Sequence, residues 1–149
     1  MTAEEIIARL GLERLDPEGG YFRRVYTATG ASAATAIYYL VSGDDFSALH
    51  RMRTSDELFF HHAGAPLRML VLDGDGREVV LGSDLAAGQQ PQVLIPAGTW
   101  QGASPDGAWS LVSTVVVPAF EWSDFELGDQ PELTAMFPGW ATRIDELSR

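Results

Sequence analysis

The segment HRMRTSDELFFHHAG, residues 50–64, decides how the chain is interpreted. Its spacing is H-x-M-x4-E-x6-G, which begins at His50 and includes Glu57. Its apolar and aromatic residues predict strands over 46–52 and 57–62. A histidine and a glutamate at this spacing indicate a polar site rather than two unrelated residues.

Strands also dominate the sequence on both sides of this segment. The other predicted strands are 21–26, 35–41, 67–72, 78–81, 92–95, 101–103, 110–117 and 121–127. Turn-forming sequences at 42–45, 73–76 and 104–107 separate several of them. Short strands at close, fairly regular intervals are typical of a sandwich or barrel rather than of alternating β-α units.

A short helix is predicted at each end of the chain. Thr2 and Glu5 form a capping box and Gly11 supplies a stop, so residues 3–10 are predicted to be helical. A second apolar stripe predicts a last helix over 140–148. The chain is therefore expected to be one mostly β domain, residues 1–149, with a helix at either end.

Composition excludes several classes of chemistry. The chain has 21 acidic and 10 basic residues and a formal net charge of −11, which argues against nucleic acid and against a membrane surface as partners. It has no cysteine and no lysine, which removes thiolate nucleophiles, Cys-type zinc sites, Schiff bases and Walker A loops. The acidic start and the lack of an apolar run of about 18 residues predict a soluble, cytoplasmic protein.

Two motifs and several further blocks resemble a known superfamily. The 50–64 segment resembles the first cupin motif, H-x-H-x4-E-x6-G, with Met52 in place of the second histidine. LIPAGTWQ, residues 94–101, resembles the second motif, P-x-G-x2-H, with Gln101 in place of its histidine. Blocks such as DPEGGYFRRVY, TAIYYL and SLVSTVVVPAFEWSDFEL resemble, in order, one uncharacterised family, Cupin_5 or domain of unknown function 985, over about residues 10–147. The resemblance implies a cupin jelly-roll β-barrel (double-stranded β-helix) that forms a homodimer, with no settled activity.

The cupin pattern implies that His50 and Glu57 point into the barrel. Strand alternation then brings His61 inward together with Glu57. These three side chains form a two-His, one-carboxylate set that, with Gln101 or water, would suit a divalent metal. Because Met52 and Gln101 replace two of the usual ligands, a metal centre is one of three open hypotheses.

A metal-free enzyme is the second hypothesis, implied by a resemblance to sugar-nucleotide epimerase cupins. In it His50 is the base and Glu57 orients the imidazole, while a tyrosine supplies a proton and an arginine grips an anionic group. The candidates for these two roles are Tyr39, with Tyr21 or Tyr38 as alternatives, and Arg23 or Arg24.

The third hypothesis, which the sequence favours, is a ligand-binding or structural cupin without catalysis. An apolar cavity with a few converging polar groups is typical of a small-molecule site. The predicted lining residues are Tyr21, Arg23, Phe59, Trp100 and Gln101. A small-molecule ligand is the expected partner, and the cofactor is either none or a divalent metal.

Overall fold

The computed structural model describes all 149 residues and is built mainly of β-strands. In chain order the strands are β1 (Glu13–Arg14), β2 (Tyr21–Ala28), β3 (Ala34–Ser42), β4 (Ser47–Met52), β5 (Asp56–Gly64), β6 (Leu67–Leu72), β7 (Arg77–Leu81), β8 (Gln92–Ile95), β9 (Trp100–Pro105), β10 (Trp109–Val117) and β11 (Phe125–Leu127). They form a six-stranded sheet in the order β1-β2-β3-β10-β5-β8 and a five-stranded sheet in the order β11-β4-β9-β6-β7.

The two antiparallel sheets face each other as a jelly roll. Most connections cross from one sheet to the other, so that β3, β4, β5 and β6 alternate between them. The predicted fold class is confirmed, although the sheets are not hydrogen-bonded into the closed barrel that the cupin resemblance implied. A two-layer arrangement still encloses an interior, because each sheet buries one face against the other.

Two of the predicted turns, 42–45 and 73–76, lie where the sequence indicated them, whereas the first half of the third, 104–107, belongs to β9 and the chain bends at 106–108. Residues 73–76 join β6 to β7 as an antiparallel hairpin, in which the Gly76 amide donates to the Asp73 carbonyl oxygen at 2.7 Å. Between β3 and β4 the Asp45 amide donates to the Ser42 carbonyl oxygen at 3.0 Å. These turns fix the order of the strands because each one reverses the chain within a few residues.

The N-terminal helix α1 (Ala3–Leu10) confirms its prediction in detail. The Thr2 side chain accepts from the Glu5 amide, the Glu5 carboxylate accepts from the Thr2 amide, and Gly11 ends the helix in the left-handed conformation at φ 60°. Such reciprocal capping satisfies amide groups that the first turn of a helix leaves without partners.

Two segments near the other end differ from the prediction. The predicted strand 121–127 pairs only over β11, because residues 122–124 form a 3₁₀ turn. Helix α3 (Ala141–Glu146) lies within the predicted last helix, whereas α2 (Gln130–Met136) was missed. Its N-terminal signal is Asp129, whose carboxylate accepts from the Glu132 amide at 2.9 Å.

The interior between the sheets is apolar at one end of the jelly roll. This apolar half consists of Leu15, Tyr39, Val41, Phe59, Leu67, Met69, Val71, Val79, Leu81, Val93, Ile95, Ala103 and Val112. Leu15 and Tyr39 lie at its boundary with a pocket. A second apolar cluster covers the outer face of the smaller sheet, where α2 and α3 pack on it: Leu49, Leu70, Leu72, Trp100, Leu133, Ile144 and Leu147. The smaller sheet is therefore covered on both faces.

None of the helices has the length and apolar character that a membrane-spanning helix requires.

Candidate functional site

A β-bulge in β4 directs two polar side chains of the site to the same face. Ser47 pairs with Ala103 and His50 pairs with Gln101, so two residues of β4 stand opposite one residue of β9. Regular alternation would put Ser47 and His50, three residues apart, on opposite faces. Instead the Ser47 hydroxyl lies 2.8 Å and the His50 Nε2 atom 3.9 Å from the same carboxylate oxygen, Oε1 of Glu18.

The residue opposite the bulge is a glycine for a steric reason. A Cβ atom at Gly102 would lie 3.1 Å from both Cγ of Leu49 and the carbonyl oxygen of Ser47. These contacts are shorter than ordinary van der Waals separations between such atoms. Gly102 therefore allows β9 to approach the bulged segment closely.

His50 is held in one orientation and one tautomer. Its Nδ1 atom lies 2.7 Å from the carbonyl oxygen of Ala48, which can only accept, so Nδ1 carries the proton. The Nε2 atom of the neutral ring is then unprotonated, and it faces Oε1 of Glu18 at 3.9 Å and Oε2 of Glu57 at 4.0 Å. The Phe125 ring stacks on the imidazole with centroids 5.2 Å apart. His50 can accept a proton at Nε2 without turning.

Glu57 is a buried carboxyl group with a perturbed pKa. Burial has the largest effect and raises the pKa; the charge of His50 opposes this, and the negative charge of Glu18 adds to it. Hydrogen bonds from Gln101, at 2.7 Å to Oε2, and from Thr114 favour the ionised form. The net result is a pKa raised to about 7. Both protonation states of Glu57 are therefore accessible near neutral pH.

Glu18 belongs to this site, although no motif in the sequence marks it. It lies in the loop between β1 and β2, and its carboxylate accepts from the Ser47 hydroxyl at 2.8 Å. Its side chain is 12% exposed. The surrounding sequence DPEGG predicts only a turn, because the backbone geometry of a turn is sufficient to account for its proline and glycines. The one available signal was an acidic residue within a turn that leads directly into a strand.

Tyr39 lies beside this loop in the buried part of the site. Its hydroxyl donates to the Gly19 carbonyl oxygen at 3.0 Å. Burial raises the pKa of Tyr39 well above its ordinary value, so the phenol stays protonated. A neutral hydroxyl already committed to a backbone carbonyl helps to fix the loop that carries Glu18.

These residues open onto a pocket with a cavity volume of about 80 Å³. Its lining consists of buried Leu15, Thr35, Tyr39, Glu57, Thr114 and Val116, of half-buried Glu18, Phe22, Ile37 and Phe120, and of exposed Arg24 and Trp122. We call Phe22, Arg24, Phe120 and Trp122 its rim. Phe120 and Trp122 touch edge to face, with centroids 5.0 Å apart. His50 does not line the pocket itself and meets it through the two carboxyl groups.

The structure brings four of the predicted site residues together: His50, Glu57, Tyr39 and Gln101. Two others on β2 lie elsewhere. Tyr21 lies under the guanidinium of Arg14, 5.6 Å from its ring centroid, and Arg23 lies 5.5 Å from the ring centroid of Tyr38. The arginine that lines the pocket is Arg24.

Three further predicted residues also lie away from the pocket. Phe59 is buried in the apolar half of the interior, although it shares its strand face with Glu57. Trp100 is on the outer face of the smaller sheet, with the Arg51 guanidinium 4.5 Å from its ring centroid. The Nε2 atom of His61 lies 3.2 Å from the Ala65 carbonyl oxygen, and His61 does not reach the acidic cluster.

The residues present do not fit a divalent metal centre. No three or more His, Cys, Asp or Glu side chains are arranged to hold an ion. The Gln101 amide nitrogen donates a hydrogen bond to Glu57, so these two side chains are already bonded to each other and not directed at an ion. Met52 offers a thioether, a poor ligand for hard or borderline ions. His50 Nε2 stands 3.9 and 4.0 Å from its two carboxylate neighbours, too far for a direct hydrogen bond to either.

Comparisons with known proteins agree with this architecture. A solved protein from Shewanella oneidensis is 35% identical, with 100% of this chain and 98% of the other covered and a TM-score of 0.91. A hypothetical protein from Leishmania major is 31% identical, with 99% of each chain covered and a TM-score of 0.89. A cupin 2 conserved barrel domain protein from Rhodopseudomonas palustris is 19% identical over 93% of this chain and 88% of the other, with a TM-score of 0.65, and shares the fold alone.

No curated protein matches the chain. The model of the family described as "Cupin superfamily (DUF985)", Cupin_5, matches residues 4–128, which is most of the sequence. The chain therefore belongs to the Cupin_5 family of the cupin superfamily.

Proposed function

We propose that the pocket binds a small oxygenated organic molecule and that Glu57 exchanges a proton with it without a metal ion. Glu57 carries this proposal, because it is a pocket-lining carboxyl group whose pKa burial raises to about 7. A general acid or base works best when its pKa lies near the operating pH, since both protonation states are then available.

His50 and Glu18 complete the proton-exchanging group. The Nε2 atom of His50 is 4.0 Å from Oε2 of Glu57, a gap that a water molecule can bridge. When Glu57 releases its proton, an imidazolium at this distance stabilises the carboxylate. His50 does not line the pocket, so its proposed role is that of a proton partner to Glu57 rather than of a base acting on the ligand.

The pocket lining supports a hydroxyl-bearing ligand. Two carboxyl groups accept hydrogen bonds from hydroxyl groups, and the neighbouring Thr114 hydroxyl can donate or accept. Aromatic side chains at the rim, Phe120 and Trp122, offer flat surfaces for the C–H face of such a molecule. A volume of about 80 Å³ limits the part of the ligand inside the pocket to a few heavy atoms.

The chemistry that follows is proton transfer at carbon. In a ligand with a C–H bond next to a carbonyl group, ionised Glu57 takes the proton and the C–H electron pair moves into the carbonyl as an enolate. Return of a proton from Glu57 to the same face of that carbon restores the ligand, with its hydrogen exchanged for deuterium when the carboxyl group has equilibrated with D₂O. No other reactant is consumed.

Binding and proton exchange can be measured separately. A panel of sugars, sugar phosphates and hydroxy acids is screened by thermal shift, and compounds that bind are incubated with the protein in D₂O and followed by NMR for deuterium uptake. We expect Glu57→Gln to keep binding and to lower the exchange rate about 10²- to 10⁴-fold. Glu13→Gln, at an exposed position on β1, is the matched control and is expected to leave both unchanged.

Each outcome has a defined meaning. Binding without exchange in the unaltered protein would assign a ligand-binding rather than a catalytic function, the second candidate that the enclosed pocket supports. No binding across the panel would contradict both. Elemental analysis of protein purified without chelator tests the metal-free part, because stoichiometric metal that is lost in His50→Ala would overturn it.

A further inference from the structure

The loop that carries Glu18 is fastened through its backbone. The Glu18 carbonyl oxygen accepts from the Ala48 amide at 2.8 Å and from Nε of Arg149 at 3.3 Å. The next carbonyl oxygen, that of Gly19, accepts from the Tyr39 hydroxyl at 3.0 Å. A Cβ atom at Gly19 would lie 2.1 Å from the Phe46 carbonyl oxygen and 2.4 Å from Nη2 of Arg149, so this close packing requires glycine.

Asp45 connects this loop to two arginine side chains. Its carboxylate accepts from the amides of Gly20 and Phe46, both at 2.9 Å, and is bonded to the guanidinium groups of Arg14 and Arg149. Partial burial acts to raise the pKa of Asp45, but these four partners outweigh it and lower the pKa to about 2. Asp45 is therefore ionised throughout the physiological range and ties the loop to two arginines.

Arg149 links Asp45 to the loop itself. Its Cζ atom lies 4.2 Å from the Phe46 ring centroid, and its Nη2 atom donates to the Phe46 carbonyl oxygen at 3.0 Å as well as to Asp45. One planar guanidinium thus contacts the loop carbonyl of Glu18, the Asp45 carboxylate and an aromatic ring together. A freely moving surface arginine would make few of these contacts at once.

We infer that Arg149 and Asp45 are positioning residues that hold the Glu18 carboxylate against His50 and Glu57. Nothing in their contacts touches the pocket, so they act through the loop. The inference rests on the proposed function only in so far as Glu18 belongs to the same site. It predicts that loosening a contact on the protein surface changes the protonation of a buried carboxyl group.

Glu57 supplies the measurement, because the negative charge of Glu18 is one of the causes that raise its pKa. The other charged or titratable groups around Glu57 are His50 behind it, Tyr39 in the pocket lining and Arg24 at the rim. If Glu18 moves away, the pKa of Glu57 falls. If Arg149 instead acted on Glu57 directly through its positive charge, loss of that charge would raise the pKa of Glu57. The sign of the shift in Arg149→Gln therefore separates positioning from a through-space effect.

The experiment is a ¹³C NMR titration of glutamate carboxyl groups, with Glu57→Gln used to assign the Glu57 resonance. We expect the pKa of Glu57 to fall by about one unit in Glu18→Gln and in Arg149→Gln, and to recover in part in Arg149→Lys, which keeps the charge but not the fork. The double variant Glu18→Gln/Arg149→Gln should show no further fall in the pKa of Glu57, since both changes remove the same interaction. Arg68→Ala, which removes a comparable surface arginine bonded to Asp106 and Glu78, should leave the pKa unchanged.

The outcomes distinguish this inference from the proposal on which it rests. An unchanged or raised pKa of Glu57 in Arg149→Gln, together with a lowered one in Glu18→Gln, would overturn the positioning role alone. An unchanged pKa in Glu18→Gln would remove Glu18 from the site and would weaken the proposed function as well. If Arg149→Gln does not fold, an unchanged pKa in the folded Arg149→Lys overturns the inference in the same way.

Discussion

The space between the two sheets has two halves with opposite character. The same strands contribute to both: β5 places Phe59 in the apolar half and Glu57 in the pocket, and β9 places Ala103 in one and Gln101 in the other. The apolar half is filled by side chains from both sheets, whereas the polar half keeps a cavity of about 80 Å³ beside three titratable groups. Burial of the apolar half stabilises the fold. This stabilisation offsets the cost of burying polar groups in the other half.

This division has an energetic consequence. Apolar burial favours folding, whereas a carboxyl group moved out of water resists ionisation. Glu57 relieves part of that cost by keeping a proton near neutral pH and by pairing with Gln101. Substitutions should therefore affect stability mainly in the apolar half, and pH dependence and binding mainly in the polar half.

Phe59→Ala should have the largest effect. The ring is 2% exposed and packs in the apolar half, so its removal leaves a cavity and is expected to lower the free energy of unfolding by about 3–5 kcal/mol. Urea denaturation measures this loss. Leu94→Ala, at a position 49% exposed on β8, is the control and should change stability by less than about 1 kcal/mol. Equal losses at both positions would contradict the close packing of Phe59 in the apolar half.

Glu57→Gln should change how stability depends on pH. The folded pKa of about 7 lies above the ordinary value of 4.5, so the folded state binds this proton more tightly than the unfolded state. The associated stabilisation is complete below about pH 4.5, is lost as the pH rises through 7, and amounts to roughly 3 kcal/mol. Compared with Glu57→Gln, the unaltered protein should lose stability between pH 5 and 8. A constant difference between the two across that range would contradict the raised pKa.

Gly102→Ala tests the bulge that joins the two halves. The added methyl group meets Leu49 and the Ser47 backbone at 3.1 Å, so we expect a loss on the order of 1 kcal/mol in stability. Because the charge of His50 lowers the pKa of Glu57, displacement of β4 should raise that pKa, which NMR titration can follow. Ala103→Gly, on the same strand, is the control for backbone flexibility and should not raise it.

Trp122→Ala should have the smallest effect on stability. The side chain is 53% exposed at the rim of the pocket, so we expect a loss of less than about 1 kcal/mol but weaker binding of any ligand found in the screen. Tyr26→Ala, an aromatic residue 59% exposed on β2 and outside the pocket, should leave binding unchanged. Equal binding by both variants would remove Trp122 from the binding surface.

The elements that sequence predicted well depend on contacts between near neighbours. The capping box of α1 and the hairpin at 73–76 are each specified within a few residues. The segment 122–124 was predicted to be extended but forms a 3₁₀ turn, in which Trp122 packs edge to face on Phe125 of β11. The family resemblance supplied the remaining architecture.

The site was predicted only in part, because strand alternation predicts which residues share a face but not which of the two faces lines the pocket. On β2 the predicted lining residues were Tyr21 and Arg23, with Arg24 as the alternative to Arg23, whereas the pocket takes Phe22 and Arg24. A shift of one residue moves every side chain of a strand to the other face. Trp100 was predicted to lie in the cavity although its neighbour Gln101 already points there, and alternation alone argues against placing both.

Two other aspects of the site depend on information that no local pattern contains. Glu18 reaches His50 from a loop 32 positions earlier in the chain, and the bulge that turns Ser47 inward arises from the pairing of β4 with β9. Phe59 and His61 share a face with Glu57, but alternation does not tell how far along the strand the pocket ends. The distance along the strand is decided by the packing of both sheets.

The covering of the smaller sheet on both faces has a consequence for motion. Its strand β4 carries His50 and lies between β9 and β11, with α2 and α3 packed behind it. Backbone amides in such a strand open only in large unfolding events and should exchange with deuterium slowly, whereas amides of the exposed rim at 121–123 should exchange much faster. We therefore expect the imidazole to stay in place and local motion beside the pocket to be confined to the rim.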